Sequence, residues 1–183
     1  MLAPDETGGL LGRTYSAVEF GFNHHVESAP RILRRYGFVS SRPLGELGPY
    51  VDASFHYDYT RGSEFGARFD EHDLTVAFLR YFPQGDVKPF VQAEAGWLWQ
   101  RFAGRHEDSF VYRLGGGVEF LLKPRVALTP FVTYRDARQV EQRAWNVGAK
   151  MVFRANRSWS WSVALQVDDS HNLEYAAGVQ RRF

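Results

Sequence analysis

Cysteine is missing from the 183 residues altogether, which removes disulfide scaffolds and thiolate–metal sites from consideration. That absence is compatible with passage through an oxidising periplasm. No apolar run approaches the length of about 18 residues that a transmembrane helix needs, and the mean hydropathy is −0.37. Neither sign of charge dominates: Lys+Arg 22 stand against Asp+Glu 21. A nucleic-acid binder would show a basic stripe or patch instead. The start, Met1-Leu2-Ala3-Pro4-Asp5, has neither the basic region nor the apolar region of a secretory leader. No phosphate-cradling loop is expected, because Gly115-Gly116-Gly117 falls inside an alternating segment, where glycine permits curvature or close packing.

What the chain does have is aromatic residues, 16% of it, and a pattern of period two. The segment Trp159 to Val167 is the clearest instance. Trp159, Trp161, Val163, Leu165 and Val167 point one way, and Ser158, Ser160, Ser162, Gln166 and Asp168 the other. Soluble strands average about five or six residues, whereas a tilted strand crossing a bilayer needs about 9–11. Averaged over such a strand, lipid-facing apolar and lumen-facing polar residues give a neutral hydropathy. The pattern predicts ten strands, at about 13–25, 34–43, 49–60, 72–82, 89–102, 109–122, 126–135, 143–154, 158–168 and 173–183. The second is the least regular, since Arg34-Arg35-Tyr36-Gly37-Phe38-Val39 alternates poorly. Eight strands are the alternative, with the first two forming a periplasmic arm.

Connections of two kinds alternate. Tight turns are expected at 43–48, 83–88, 123–125 and 155–157, and longer polar loops at 25–33, 60–71, 103–108, 136–142 and 168–172. Short periplasmic turns and longer extracellular loops are the signature of a closed up-and-down membrane barrel. The fold expected is therefore all-β, an antiparallel transmembrane barrel over 13–183. A periplasmic segment, 1–12, precedes it, and both termini are periplasmic. The expected location is the outer membrane of a Gram-negative-type cell, reached by export, with the chain read as a mature form carrying an added start Met.

Aromatics fall at both strand ends, as a lipid-facing band requires. Trp159, Trp161, Phe153, Phe120, Tyr81, Phe82 and Phe183 lie by the tight turns; Tyr57, Tyr59, Trp97, Trp99, Phe110, Tyr112, Tyr134 and Trp145 lie toward the loops. The other face carries Glu19, Asp52, His56, Asp58, Arg80, Glu94, Arg113, Glu119, Arg135, Lys150, Glu174 and Arg182. An unpaired ion is expensive in a lumen, so a cross-strand ion-pair lattice that plugs and stiffens the barrel is expected. A lined ion path is the alternative. Ten strands enclose far less than a porin of 16–18.

With these strands and faces in place, the chain resembles the small outer-membrane barrels of the OmpX/OmpA-like superfamily. The resemblance runs over 13–183. It is carried by Tyr15…Glu19-Phe20-Gly21-Phe22, Gly37-Phe38…Ser41-Arg42-Pro43-Leu44 to Gly48, and Leu79-Arg80-Tyr81-Phe82-Pro83. Pro89-Phe90-Val91…Ala95-Gly96, Leu114-Gly115-Gly116-Gly117-Val118-Glu119-Phe120 and Ala177-Gly178-Val179…Phe183 complete it. It implies outer-membrane lipid and lipopolysaccharide as surroundings, and recognition of the terminal Phe183 by the barrel-insertion machinery. Two departures stand out: Arg181 occupies a position where that signal usually has an aromatic, and the best-known relatives have eight strands. Because the superfamily includes inert wall proteins, adhesins, enzymes and narrow pores, it implies no single activity.

Catalytic signals are sparse. Asp169-Ser170-His171, Asp70-Glu71-His72-Asp73 and His24-His25 loosely resemble the acid–His rims of the omptin proteases, but solvated turn residues account for them as well. No lipid-facing Ser–His pair of a lipid-modifying barrel enzyme is present, no spaced metal-ligand motif occurs, and no cofactor is expected. The expected role is a non-enzymatic wall protein, or an accessory component meeting an envelope assembly or surface ligand at its rim. Rim recognition would fall to His24, His25, Arg105, His106, Asp169 and His171. A rim enzyme, omptin-like or lipid-modifying, and a narrow channel are the alternatives.

Overall fold

The computed structural model describes residues 9–25, 31–64 and 67–183, leaving aside the side chains of His25, Arg31, Ile32 and Glu64. The expected loop at 25–33 and the first part of the expected 1–12 segment thus fall largely outside the described residues. Ten antiparallel strands form one closed barrel. They are β1 (Tyr15–His25), β2 (Arg31–Pro43), β3 (Val51–Glu64), β4 (Ala67–Tyr81) and β5 (Val87–Phe102), then β6 (Arg105–Lys123), β7 (Val126–Ala137), β8 (Gln142–Arg154), β9 (Trp159–Asp168) and β10 (Leu173–Arg182). Every strand pairs with its chain neighbours. The barrel closes where β1 meets β10, from Tyr15 opposite Arg182 to His24 opposite Leu173. Closure leaves no strand edge, which is the condition for a sheet to stand in hydrocarbon.

Alternation decides which side chains face out. Val18, Phe20, Phe38, Val91, Leu114, Val147, Val163 and Leu165 all lie on the outer wall and are exposed. A soluble protein could not show water so wide an apolar surface; a bilayer covers it. β2 is regular after all. Tyr36 and Phe38 point out, Gly37 is buried, and Arg35 takes the inward parity between them.

Two expected loops are strand instead. Residues 60–71 lie largely within β3 and β4, paired up to Glu64 opposite Ala67. Residues 103–108 shrink to a two-residue turn, because β6 starts at Arg105 opposite Phe102. Ala103 and Gly104 there adopt φ of 50° and 83°, the positive values of the tight hairpin that fits strand twist. Their polar sequences suggested loops, but antiparallel pairing satisfies the backbone in water as well as in lipid. As a result the outer rim is uneven. β6 has 19 residues and β9 only 10. β6 pairs with β7 only from Tyr112 onward, so its first residues rise past the rim on β5 alone. β3 to β6 thus form a raised blade.

Glycine clears space at one place that matters. Glu19 lies between Gly37 of β2 and Gly178 of β10. A Cβ on Gly178 would come within 2.9 Å of the Glu19 side chain, and one on Gly37 within 2.7 Å of Asp58 Oδ1. Gly178→Val is expected to lower stability by about 1–3 kcal/mol through overpacking. Gly45→Ala, with nothing within 4 Å of its added carbon, should change it by less than about 0.5 kcal/mol. Urea unfolding from vesicles distinguishes the two.

Candidate functional site

Lumen-facing groups make contacts at three levels. At the end with the tight turns, residues 9–12 enter the mouth. The Leu10 amide donates to Glu119 Oε2 at 2.8 Å, the Gly12 amide to Asp52 Oδ2 at 2.7 Å, and Lys88 Nζ to the Leu11 carbonyl at 3.3 Å. Lys88 also reaches Glu119 at 3.3 Å. Carboxylates and one ammonium thereby bind backbone that would otherwise be left without partners in the mouth.

The middle level is ionic. Arg35 sits among three carboxylates: Asp58 at 2.7 Å, Glu19 at 3.9 Å, and Glu174. Lys150 meets Glu19 at 2.5 Å, and Gln166 donates to Glu174 at 2.7 Å. Across the bore Arg113 bridges Glu94 and Asp73, Thr75 donates to Glu94, and Arg135 reaches Asp73 at 3.1 Å and Glu71 at 3.4 Å. Gln142 then links Glu71 to Gln100 at 2.9 and 3.3 Å. Every strand contributes at least one of these side chains. Toward the outer end Leu98, Val111 and Ala137 are fully buried, with Val140 of the 3₁₀ turn Arg138–Val140 packed against them. The Ser109 hydroxyl donates to Gln139 at 2.5 Å beside that cluster.

The expected lumen residues divide into three groups. Glu19, Asp58, Glu94, Arg113, Arg135, Lys150 and Glu174 meet in the ionic level. Asp52 and Glu119 face inward but hold the entering segment rather than strand partners; buried Arg182 lies on the inward parity of β10. His56 faces in, 2.7 Å from the Ser54 hydroxyl. Arg80 is a correction. It shares the parity of exposed Val76 and Phe78 and points outward, its guanidinium 5.4 Å above the Phe82 ring. At the membrane edge such an arginine snorkels to water at a cost of only about 0–1 kcal/mol. Tyr81 is the converse correction, since it faces the lumen under Lys88, 5.9 Å from the ammonium. Arg35, Glu71, Asp73 and Lys88 were not expected in the lumen. The regular parity of Tyr36 and Phe38 would have revealed Arg35.

The aromatic positions Trp97, Trp99, Trp145, Trp159, Trp161 and Phe183 are all exposed, and Tyr57 and Tyr59 share the outward parity of Phe55. Arg181 lies over Trp159 at 6.0 Å and Phe183 at 5.3 Å. The rim residues are not gathered. His24 ends β1 opposite Ile32 and Leu173, near the Asp169–His171 turn, while Arg105 and His106 belong to β6 on the far side of the ring. His25 closes β1, but its side chain lies outside the described residues. In the last turn Asp168 Oδ1 accepts from the Ser170 and Asn172 amides at 2.9 and 2.8 Å; this is turn chemistry. Asp70-Glu71-His72-Asp73 is not a loop end but lies inside β4, where alternation sends Asp70 and His72 out and Glu71 and Asp73 in. The wall thus separates Glu71 and Asp73 from His72, whereas Asp70 and His72 share the outer face. A cluster not expected at all surrounds outward-facing Asp136, which accepts from Tyr112 Oη at 3.2 Å and meets Arg143 at 3.3 Å.

Arg113→Ala is expected to destabilise the barrel by about 3–5 kcal/mol, because Glu94 and Asp73 are buried and would lose their shared cation. Arg80→Ala should cost less than about 1 kcal/mol. Equal losses in reversible unfolding would contradict the placement of both.

No protein-family model matches the sequence, and no characterised protein matches it in sequence. Solved structures do match in fold. The beta domain of the Bordetella autotransporter BrkA is 10% identical, with a TM-score of 0.56 over 94% of this chain and 100% of that one. The NanC porin is 8% identical, with a TM-score of 0.55 over 92% and 100%. The KdgM porin in complex with disordered oligogalacturonate is 10% identical, with a TM-score of 0.52 over 91% and 99%. At such identities the likeness concerns fold alone. Taken with the apolar wall and the closed ten-strand ring, it makes this chain an outer-membrane transmembrane β-barrel.

Proposed function

We propose that the chain is a non-enzymatic barrel with a plugged lumen, acting by recognition at its outer end. The observation that carries this reading is the set of inward contacts at three levels: the entering segment at Glu119 and Asp52, the ion lattice around Arg35 and Arg113, and the Leu98–Val111–Ala137 cluster. Two neighbours in fold are porins, but a conducting bore needs a continuous hydrated path, and here Lys150 on β8 meets Glu19 on β1 and Arg135 on β7 meets Asp73 on β4, each pair spanning three strand intervals of the ring. What remains available to a partner is outside, on the blade formed by β3 to β6. Rigid scaffolds commonly present binding residues in this way.

The test is a planar-bilayer recording on the purified chain. No stable steps are expected; large, ion-selective, long-lived steps would replace this reading with a channel. An Asp169→Asn, His171→Gln double variant should leave any peptidase or lipid-hydrolase signal of the preparation unchanged. Loss of such a signal with the heat-resistant barrel intact would establish the enzyme.

A further inference from the structure

Among the described residues, the raised part of β6 has one open edge. β7 has 12 residues against 19 in β6, and the two pair only from Tyr112, opposite Asp136, downward. From Arg105 to Val111, β6 is held by β5 alone. The register fixes which backbone groups the open edge presents. The Ala103 amide donates to the Arg68 carbonyl at 3.3 Å, on the β4 side. Directions alternate along an antiparallel strand, so Arg101 also faces β4, while Phe102 and Gln100 face β6. Their partners Arg105 and Glu107 are therefore the ones bonded to β5. The N–H and C=O groups of His106, Asp108 and Phe110 point the other way, into the space above the end of β7.

The chain's own connection does not cover this edge. The β7–β8 link turns over the bore instead, where Val140 packs on Leu98, Val111 and Ala137 and the Gln139 amide donates to Ser109 Oγ at 3.3 Å. Nor does the edge carry the proline, the lysine or the bulge that commonly closes one. It does carry charge, and Glu107 and Asp108 make no ion pair among the described residues. That charge excludes one occupant rather than all. Two copies of the edge, paired antiparallel from His106 to Phe110, would set Asp108 against itself, and like charges directly opposite repel. A strand with a basic residue at that place would be attracted. At the foot of the edge an open groove of about 260 Å³ is lined by Phe110, Tyr112, Asp136, Arg138 and Gln139, which suits a large side chain of the same strand.

We infer that the β6 edge from His106 to Phe110 takes up an extended segment of another polypeptide as an added antiparallel strand, with a basic residue opposite Asp108 and a large apolar one in the groove beside Phe110. An extended backbone supplies donors and acceptors at the spacing of this edge, and alternate side chains then give the selectivity. The inference rests on the reading that recognition lies at the outer end, and it names the kind of partner recognised there.

The probe is a short capped peptide of alternating threonine and valine, with lysine at one valine position and tryptophan two residues before it. It is titrated against the full chain in zwitterionic micelles while amide hydrogen exchange is followed by NMR. Protection is expected to rise at His106, Asp108 and Phe110 and to stay unchanged at Arg105 and Glu107, which β5 already binds. Glutamate in place of the lysine should weaken binding about tenfold, and Asp108→Ala should remove that preference. Asp108→Pro deletes an N–H that the β5 ladder does not use, so the barrel should stay heat-resistant while binding is lost. Should that variant fail to refold, the probe N-methylated at alternate residues tests the same hydrogen bonds from the other strand, and it is expected not to bind. Unchanged exchange at those amides, equal binding of the lysine and glutamate peptides, retained binding of the methylated probe, or dimerisation of the chain alone through this edge would overturn the proposal. Channel steps or a hydrolase signal would overturn the functional reading without altering exchange at β6, so the two fail separately.

Discussion

A charge inside a narrow barrel has nowhere to go except another charge. Lipid surrounds the cylinder, and each inward carboxylate must find a cation, a hydrogen-bond donor or water, or remain expensively alone. Arg35 and Arg113 resolve this for most of the ring. Each collects carboxylates from strands that are not its hydrogen-bonded neighbours: Arg35 on β2 meets Glu174 on β10, and Arg113 on β6 meets Asp73 on β4. The backbone ladder fixes adjacent strands, and the ion lattice fixes non-adjacent ones. The paired glycines beside Glu19 follow from the same need, since a side chain at Gly37 or Gly178 would occupy the space in which these ions meet.

The outer surface answers to a different solvent. Its apolar rows need only match hydrocarbon, and Val, Leu and Phe all serve there, while the ends are marked by aromatics and arginines. Arg80 beside Phe82 and Arg181 between Trp159 and Phe183 show how a cation is tolerated at that edge, with its charge in water and its stem against a ring.

Strand number, closure and most of the inward set were legible because little besides a bilayer-spanning strand keeps period-two alternation over ten or more residues. What was lost was lost for identifiable reasons. Residues 60–71 and 103–108 are polar on both faces, since they stand in water above the bilayer, and a doubly polar strand cannot be told from a loop by alternation. Reading 60–71 as loop hides Glu71, an acid that Arg135 reaches; Asp73 falls inside the expected strand 72–82 but is read there as the end of the Asp70–Asp73 acid–His run. Arg80 departs from the expected lumen set because parity overrides charge: Leu74, Val76 and Phe78 share its outward face. The entry of residues 9–12 into the mouth is signalled only by glycine, since a Cβ at Gly9 would collide with the Glu119 carboxylate and Gly12 takes a φ of 79° beside Tyr81.

The seam between β1 and β10 joins strands from opposite ends of the chain, so it is the natural place for a barrel to come apart. Here Arg35 reaches past β1 to Glu174, and Lys150 on β8 reaches past β9 and β10 to Glu19. Peeling β1 outward would sever both contacts and drag a carboxylate through hydrocarbon. The interior charges thus act as cross-bolts on the one joint that the covalent chain does not secure. Lateral escape of either terminal strand should accordingly be the slow step by which this barrel leaves its membrane.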